Sequence, residues 1–187
     1  MNIGEEIVSA YLRYIKHCEF TQQNLYTPDV QGEIDVVGIH LEKKIIYICE
    51  VAIHLTTGLQ YVKEKRPNNV GKLLEKFSKD IEYAKKYFKD YEQYFMLWSP
   101  VVKGSQKARH SQIKDVRIIK TKIKEKYGKE IELIINKEFD KKLNELRNYA
   151  RDRTEELKSS VLRFMQVEEY LKKHIDKLNK TTLDKNL

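Results

Sequence analysis

Two short strings hold the residues best suited to metal chemistry, Gly32-Glu33-Ile34-Asp35 and Cys49-Glu50-Val51-Ala52. Each sits among β-branched and apolar residues and reads as the end of a strand. Strand side chains alternate faces, so Glu33 and Asp35 share one face, as do Ile46, Ile48, Glu50 and Ala52. The run Ile45–Cys49 is apolar on both faces, which makes Glu50 the last residue of a buried strand. A carboxylate there is costly unless it is paired, hydrogen-bonded or metal-bound. Two carboxylates at the ends of neighbouring strands can converge on a hard cation such as Mg²⁺. Such an ion polarises a phosphate and activates a water for attack on phosphorus. Turn caps and salt bridges explain most acidic residues near strand ends, so the surrounding elements must carry the argument.

Those elements are legible from periodicity. Ile3 to His17 reads as an amphipathic helix, with Ile7, Val8, Tyr11, Leu12 and Ile15 at helical spacing. Phe20 to Tyr26 reads as a strand and Thr27-Pro28-Asp29 as a turn. Gly32 to His40 and Lys44 to Ala52 read as two strands joined by the polar turn Leu41-Glu42-Lys43-Lys44, a hairpin. Ile53 to Asn69 is irregular, Val70 to Phe88 a helix and Gln93 to Val102 a strand in which Trp98 is a core residue. Ser111 to Tyr127 reads as a basic helix, Glu130 to Asn136 as a strand, and Phe139 to Leu178 as helical, either two helices or one that bends. Antiparallel strands followed by alternating helix and strand predict an α/β fold with a mixed sheet covered on both faces. The boundary expected from the change of pattern lies near Asn136, dividing a 1–136 α/β core from a 137–187 helical extension. That extension packs on the core or, through any excess apolar stripe, forms a homodimer interface.

Gly4-Glu5-Glu6 and Tyr11-Leu12 on the first helix, followed by the Gly32–Asp35 and Ile48–Val51 strings, resemble the PD-(D/E)xK nuclease superfamily. More narrowly, they are similar to small bacterial proteins with GEID and EVK strands, relatives of Holliday-junction resolvases. The resemblance implies a restriction-endonuclease-like αβββαβ core. It also implies a metal-dependent nuclease that uses Mg²⁺ or Mn²⁺ to cut DNA. Carried over by position, Asp35 and Glu50 bind the metal with Val51 beside them, and Glu5, or next Glu6, is the helix carboxylate that assists. Glu33 joins the site or caps its strand. The family's lysine, two residues after the glutamate, is Ala52 here. A methyl group neither orients a water nor stabilises charge on a phosphate. Replacement cations are sought on the following helix, at Lys76 first and Lys72 second. His54 is nearer in sequence, as a ligand or base. Without such a cation the fold is a DNA-binding module that does not cut; a structural or interaction protein is the third reading.

Charge bears on the partner. The chain of 187 residues has a net charge of +8. From Val101 to Glu130 ten basic residues face three acidic ones, among them Lys103, Lys107, Arg109, Lys114 and Arg117 as expected DNA contacts. Clustered lysine and arginine favour a polyanion such as the DNA phosphate backbone. Two widely spaced cysteines, the lack of an apolar leader and the lack of a run of roughly 20 apolar residues predict a cytoplasmic protein without membrane contact.

Overall fold

A computed structural model describes residues 2–27, 32–104 and 111–184, with side chains through residue 180. The elements run α1 (Ile3–Tyr14), β1 (Phe20–Thr27), β2 (Gly32–His40), β3 (Ile45–Val51), β4 (Val62–Lys63), β5 (Arg66–Pro67), α2 (Asn69–Tyr87), β6 (Glu92–Ser99), α3 (Gln112–Tyr127), β7 (Ile131–Ile135), α4 (Lys137–Arg151) and α5 (Ser160–Asp184). Five strands form one mixed sheet in the order β1-β2-β3-β6-β7, so the expected α/β class with a mixed sheet is correct. β1, β2 and β3 pair antiparallel, while β3–β6 and β6–β7 are parallel. Parallel neighbours need long crossovers, and α2 and α3 supply them.

The helices divide between the two faces. Val8, Tyr11 and Leu12 of α1, with Phe139 and Leu146 of α4 and Val161 and Leu162 of α5, pack on Val36, Cys49 and Trp98. Leu73, Phe77 and Ile81 of α2, with Val116 and Ile119 of α3, pack on Val37, Ile46, Ile48, Phe95 and Leu97. The helices after Asn136 therefore share a core with α1 and the sheet. The switch from strand to helix pattern there marks a change of element, with no separate core beginning at it.

Three boundaries differ from expectation for identifiable reasons. α1 ends at Tyr14 because the Ile15 and Lys16 amides both return to the Tyr11 carbonyl, at 2.9 and 3.1 Å, and His17 takes φ 57°. The stretch expected to be irregular contains the small β4–β5 hairpin, turning on Glu64 and Lys65 at φ 50° and 62°. Two positive-φ residues fit a type I′ turn, normally signalled by Asn or Gly, and that signal is missing here. The C-terminal helical pattern is two helices, with Asp152 capping α4. No helix among the described residues is long and apolar enough to cross a membrane.

Candidate active site

The β2–β3 ladder runs from His40↔Ile45 to Val36↔Cys49. One more step in this register brings Asp35 opposite Glu50, so the two expected carboxylates are cross-strand neighbours. In place of another ladder bond, the Val51 amide donates to Asp35 Oδ2 at 2.7 Å. Glu50 lies on the α2 face with Ile46, Ile48 and Ala52, as alternation requires. It is fully buried.

Ala52 is also buried, its methyl group packed in the same core as Leu59 and Leu73. The cation arrives from α2 instead. Leu73, Phe77, Ile81 and Ala84 form the buried stripe of that helix, and Lys76 stands beside it. Its Nζ donates to Asp35 Oδ1 and Oδ2 at 3.1 and 3.2 Å and contacts Glu50 Oε2. The start of α2 is fixed by buried Asn69. Its Oδ1 accepts from the Tyr61 amide at 2.7 Å and its Nδ2 donates to Asp115 Oδ2 at 2.8 Å.

One turn beyond Lys76, Asp80 is also buried, within hydrogen-bonding reach of Glu50. Glu50 Oε1 and Asp80 Oδ2 are both buried without a hydrogen-bond partner. Burial pushes the Asp80 carboxyl up to about 7. Burial and the like charges of Asp80 and Asp35 push Glu50 well above the usual carboxyl range. Burial works against the Lys76 charge, but Glu50 and Asp35 outweigh it and raise that group too. These directions compete, since a touching ammonium favours the carboxylate while burial favours the acid. Nearby Tyr61 is pushed up to about 12 by burial, so its phenol stays protonated.

The cluster opens at Asp35 and Lys76 into a cleft of about 230 Å³, also lined by Glu33, Lys72 and Lys79. Of the other expected site residues, Glu33 and Lys72 line this cleft, while Glu5, Glu6 and His54 make their contacts elsewhere. Lys72 pairs with Glu75 at 3.6 Å. The Glu5 oxygens accept from Asn2 Nδ2 at 2.6 Å and Asn24 Nδ2 at 2.9 Å. Glu6 lines a separate hollow beside Arg13 and Lys158. His54 is exposed, edge-on to the Tyr61 ring at 6.3 Å. Asp80 went unrecognised in the sequence. Its only signal was an acid in the Phe77–Ala84 apolar stripe, four residues after Lys76.

The basic stretch divides. Lys103 Nζ is bonded to the Thr56 carbonyl. Lys114 lines a 470 Å³ cleft between the starts of α2 and α3, and Arg117 is exposed on α3. Lys107 and Arg109 lie outside the described residues. Lys120 and Lys124 pair with Glu130 at 3.6 and 2.6 Å, which neutralises part of this charge locally.

Set against protein-family models, curated proteins and solved structures, the chain matches none of them. Any functional conclusion rests on the cluster itself.

Proposed function

We propose that this protein is a metal-dependent nuclease acting on the DNA backbone, with Asp35, Glu50 and Lys76 as its catalytic group. The observation that carries this reading is Lys76. It brings from α2, to both strand-end carboxylates, the cation that Ala52 does not supply. The arrangement resembles a PD-(D/E)xK constellation with its lysine supplied from another element.

The donor set suits Mg²⁺ or Mn²⁺. Asp35 and Glu50 offer hard oxygens, and buried Glu50 Oε1 has no protein partner. Among the described residues no three His, Cys, Asp or Glu side chains form a group that could hold an ion. Mg²⁺ commonly takes only one or two carboxylates and completes its coordination with water and phosphate oxygens. Asp35 and Glu50 would hold the ion, with Val51 beside them. When bound, the ion polarises a phosphate oxygen and acidifies a water. Lys76 would contact the same carboxylates as such an ion. Its part is to hold the carboxylates in place and to place positive charge at the mouth of the cleft, where a phosphate approaches. Lys103, Lys114 and Arg117 supply further positive charge for the backbone.

The same contact supports a second reading. With Lys76 already neutralising Asp35 and Glu50, the fold is stable as a DNA-binding module that does not cut. Incubation of supercoiled, branched and single-stranded DNA with Mg²⁺ or Mn²⁺, wild type beside Glu50→Gln, separates the two. Cleavage by wild type alone supports the nuclease. Salt-sensitive binding without cleavage supports the module. Cleavage that survives the substitution comes from a contaminant and removes the nuclease reading.

A further inference from the structure

Between Tyr61 and Asn68 the chain leaves the body as the β4–β5 hairpin. Val62 pairs with Pro67 and Lys63 with Arg66, while Glu64 and Lys65 make the turn. Every residue from Val62 to Pro67 is exposed. The root of the hairpin is tied down. The Tyr61 carbonyl accepts from the Asn68 amide at 2.7 Å, and the Tyr61 amide donates to buried Asn69 Oδ1 at 2.7 Å. Asn69 opens α2, the helix that carries Lys76, so the hairpin is held in a fixed relation to the carboxylate cluster. Tyr61 itself lies within electrostatic reach of Lys76, Glu50 and Asp35. Gln60 and Pro67, at the two feet of the hairpin, line the 470 Å³ cleft with Lys103 and Lys114. The hairpin therefore rises where the cluster and the basic cleft adjoin.

Its charge has no explanation within the fold. Lys63, Lys65 and Arg66 stand against a single acid, Glu64. Lys63 and Arg66 are cross-strand partners, so their side chains leave the same face of the ribbon, and like charges placed opposite each other are destabilising. On α3, Lys120 and Lys124 are answered by Glu130. No ion pair among the described residues engages Lys63, Lys65 or Arg66. A polyanion laid across that face turns the repulsion into attraction. Cations on the hairpin, and again in the cleft that its feet border, suit a continuous row of phosphates better than one compact anion. Val62 and Pro67 alone offer too little apolar surface to make the hairpin a protein-docking element.

We propose that the β4–β5 hairpin holds the backbone of duplex DNA beside the Asp35–Lys76 cleft, with Lys63, Lys65 and Arg66 against its phosphates. The choice of DNA as the polyanion rests on the nuclease reading, but the test measures binding, so the two can fail separately. Anisotropy of a fluorescently labelled DNA duplex is followed with the full chain in EDTA, which prevents metal-dependent cleavage, over a range of salt concentrations. For wild type, the logarithm of the binding constant should fall linearly with the logarithm of salt concentration. Lys63→Gln combined with Arg66→Gln should reduce that slope by about 2 and weaken binding by about fiftyfold at about 0.1 M salt, equally for duplexes of different sequence. The melting temperature of this double variant should be unchanged or higher, because a repulsive pair is removed, and that result excludes misfolding as the cause of the loss. A wild type that does not bind the duplex, an unchanged slope in the double variant, or a loss confined to one duplex sequence or to single-stranded RNA overturns the proposal. Cleavage by wild type together with an unchanged slope removes the hairpin's role and leaves the nuclease. A reduced slope in a protein that never cuts removes the nuclease and leaves the hairpin as the grip of a binding module.

Discussion

The two faces of the sheet are built to different ends. The face under α1, α4 and α5 is mainly apolar packing, its buried carboxylate Glu5 held by the Asn2 and Asn24 amides. Trp98 stands edge-on to Tyr11 and Phe139 at ring distances of 5.1 and 5.9 Å, and Val36 and Cys49 fill in around them. The face under α2 and α3 has as many apolar residues, yet it also holds Glu50, Asp80 and the Lys76–Asp35 pair near its open end. Burying charge is expensive, and apolar residues of similar volume often serve stability as well or better. Gathering three carboxyl groups and an ammonium on the α2 face therefore costs stability that packing alone does not require.

That contrast breaks most sharply under paired substitutions. Trp98→Ala should cost about 4 kcal/mol of stability through the cavity it leaves, measured by denaturant melts, while the DNA cleavage proposed above, per folded molecule, changes little. Glu50→Gln should do the reverse. Cleavage should fall at least a thousandfold, about 4 kcal/mol of transition-state stabilisation, with stability at neutral pH unchanged or slightly raised because a buried charge is gone. Equal stability losses in both variants would erase the distinction between the faces.

Next comes the cation. Lys76→Met keeps the length of the side chain and removes its charge, leaving Asp35 and Glu50 without their counter-ion. A loss of about 3 kcal/mol is expected at neutral pH. Mg²⁺ should then raise the melting temperature of the variant more than that of wild type, because the ion no longer competes with the ammonium for the same oxygens. Melts with and without Mg²⁺ decide this, and an ion effect no larger in the variant would argue against metal binding by these carboxylates.

These residues also show how far the sequence reaches. Asp35 and Glu50 were legible because strand alternation fixes a face for each, and the register of a two-strand ladder then fixes their proximity. Lys76 was legible as one of two lysines beside an apolar helical stripe, but choosing it over Lys72 depends on where α2 starts. Buried Asn69 sets that start through its bonds to Tyr61 and Asp115. Asp80 was not legible. An acid in a helix is ordinarily solvated, and only the placement of α2 against β3 brings it to Glu50. Glu5 is bonded by the Asn2 and Asn24 amides, on a helix that packs on the opposite face of the sheet, a placement that helical periodicity does not fix.

Asp80 gives the pH signature of the charged face. Its folded value of about 7 lies above its ordinary value near 3.8. The fold therefore favours its neutral form, and between those values the folded state binds more protons than the unfolded one. Stability from this group is complete below the lower value and is lost as pH rises through the higher one. In a chelating buffer, wild type should lose on the order of 2 kcal/mol between about pH 5 and pH 8 from this pair. Asp80→Asn should flatten the slope. A variant with the same slope as wild type would place the proton elsewhere.

The smallest effect belongs to the packing face and tests whether its polar contacts matter at all. The Tyr11 hydroxyl donates to Glu145 Oε2 at 3.0 Å, and Lys142 Nζ lies 5.3 Å from the centre of the Tyr11 ring. Tyr11→Phe keeps the ring against Trp98 and removes only the hydrogen bond. Because Glu145 remains partly solvated and keeps its pair with Lys142 at 3.0 Å, its carboxylate is not stranded. A loss of about 1 kcal/mol is expected, the ordinary net worth of one such bond. Tyr11→Leu removes the edge-to-face contact as well and should cost roughly a further 1 kcal/mol. If Tyr11→Phe were the costlier change, the hydroxyl rather than the aromatic stack would hold α1 to α4, and the packing face would depend on a polar contact of its own.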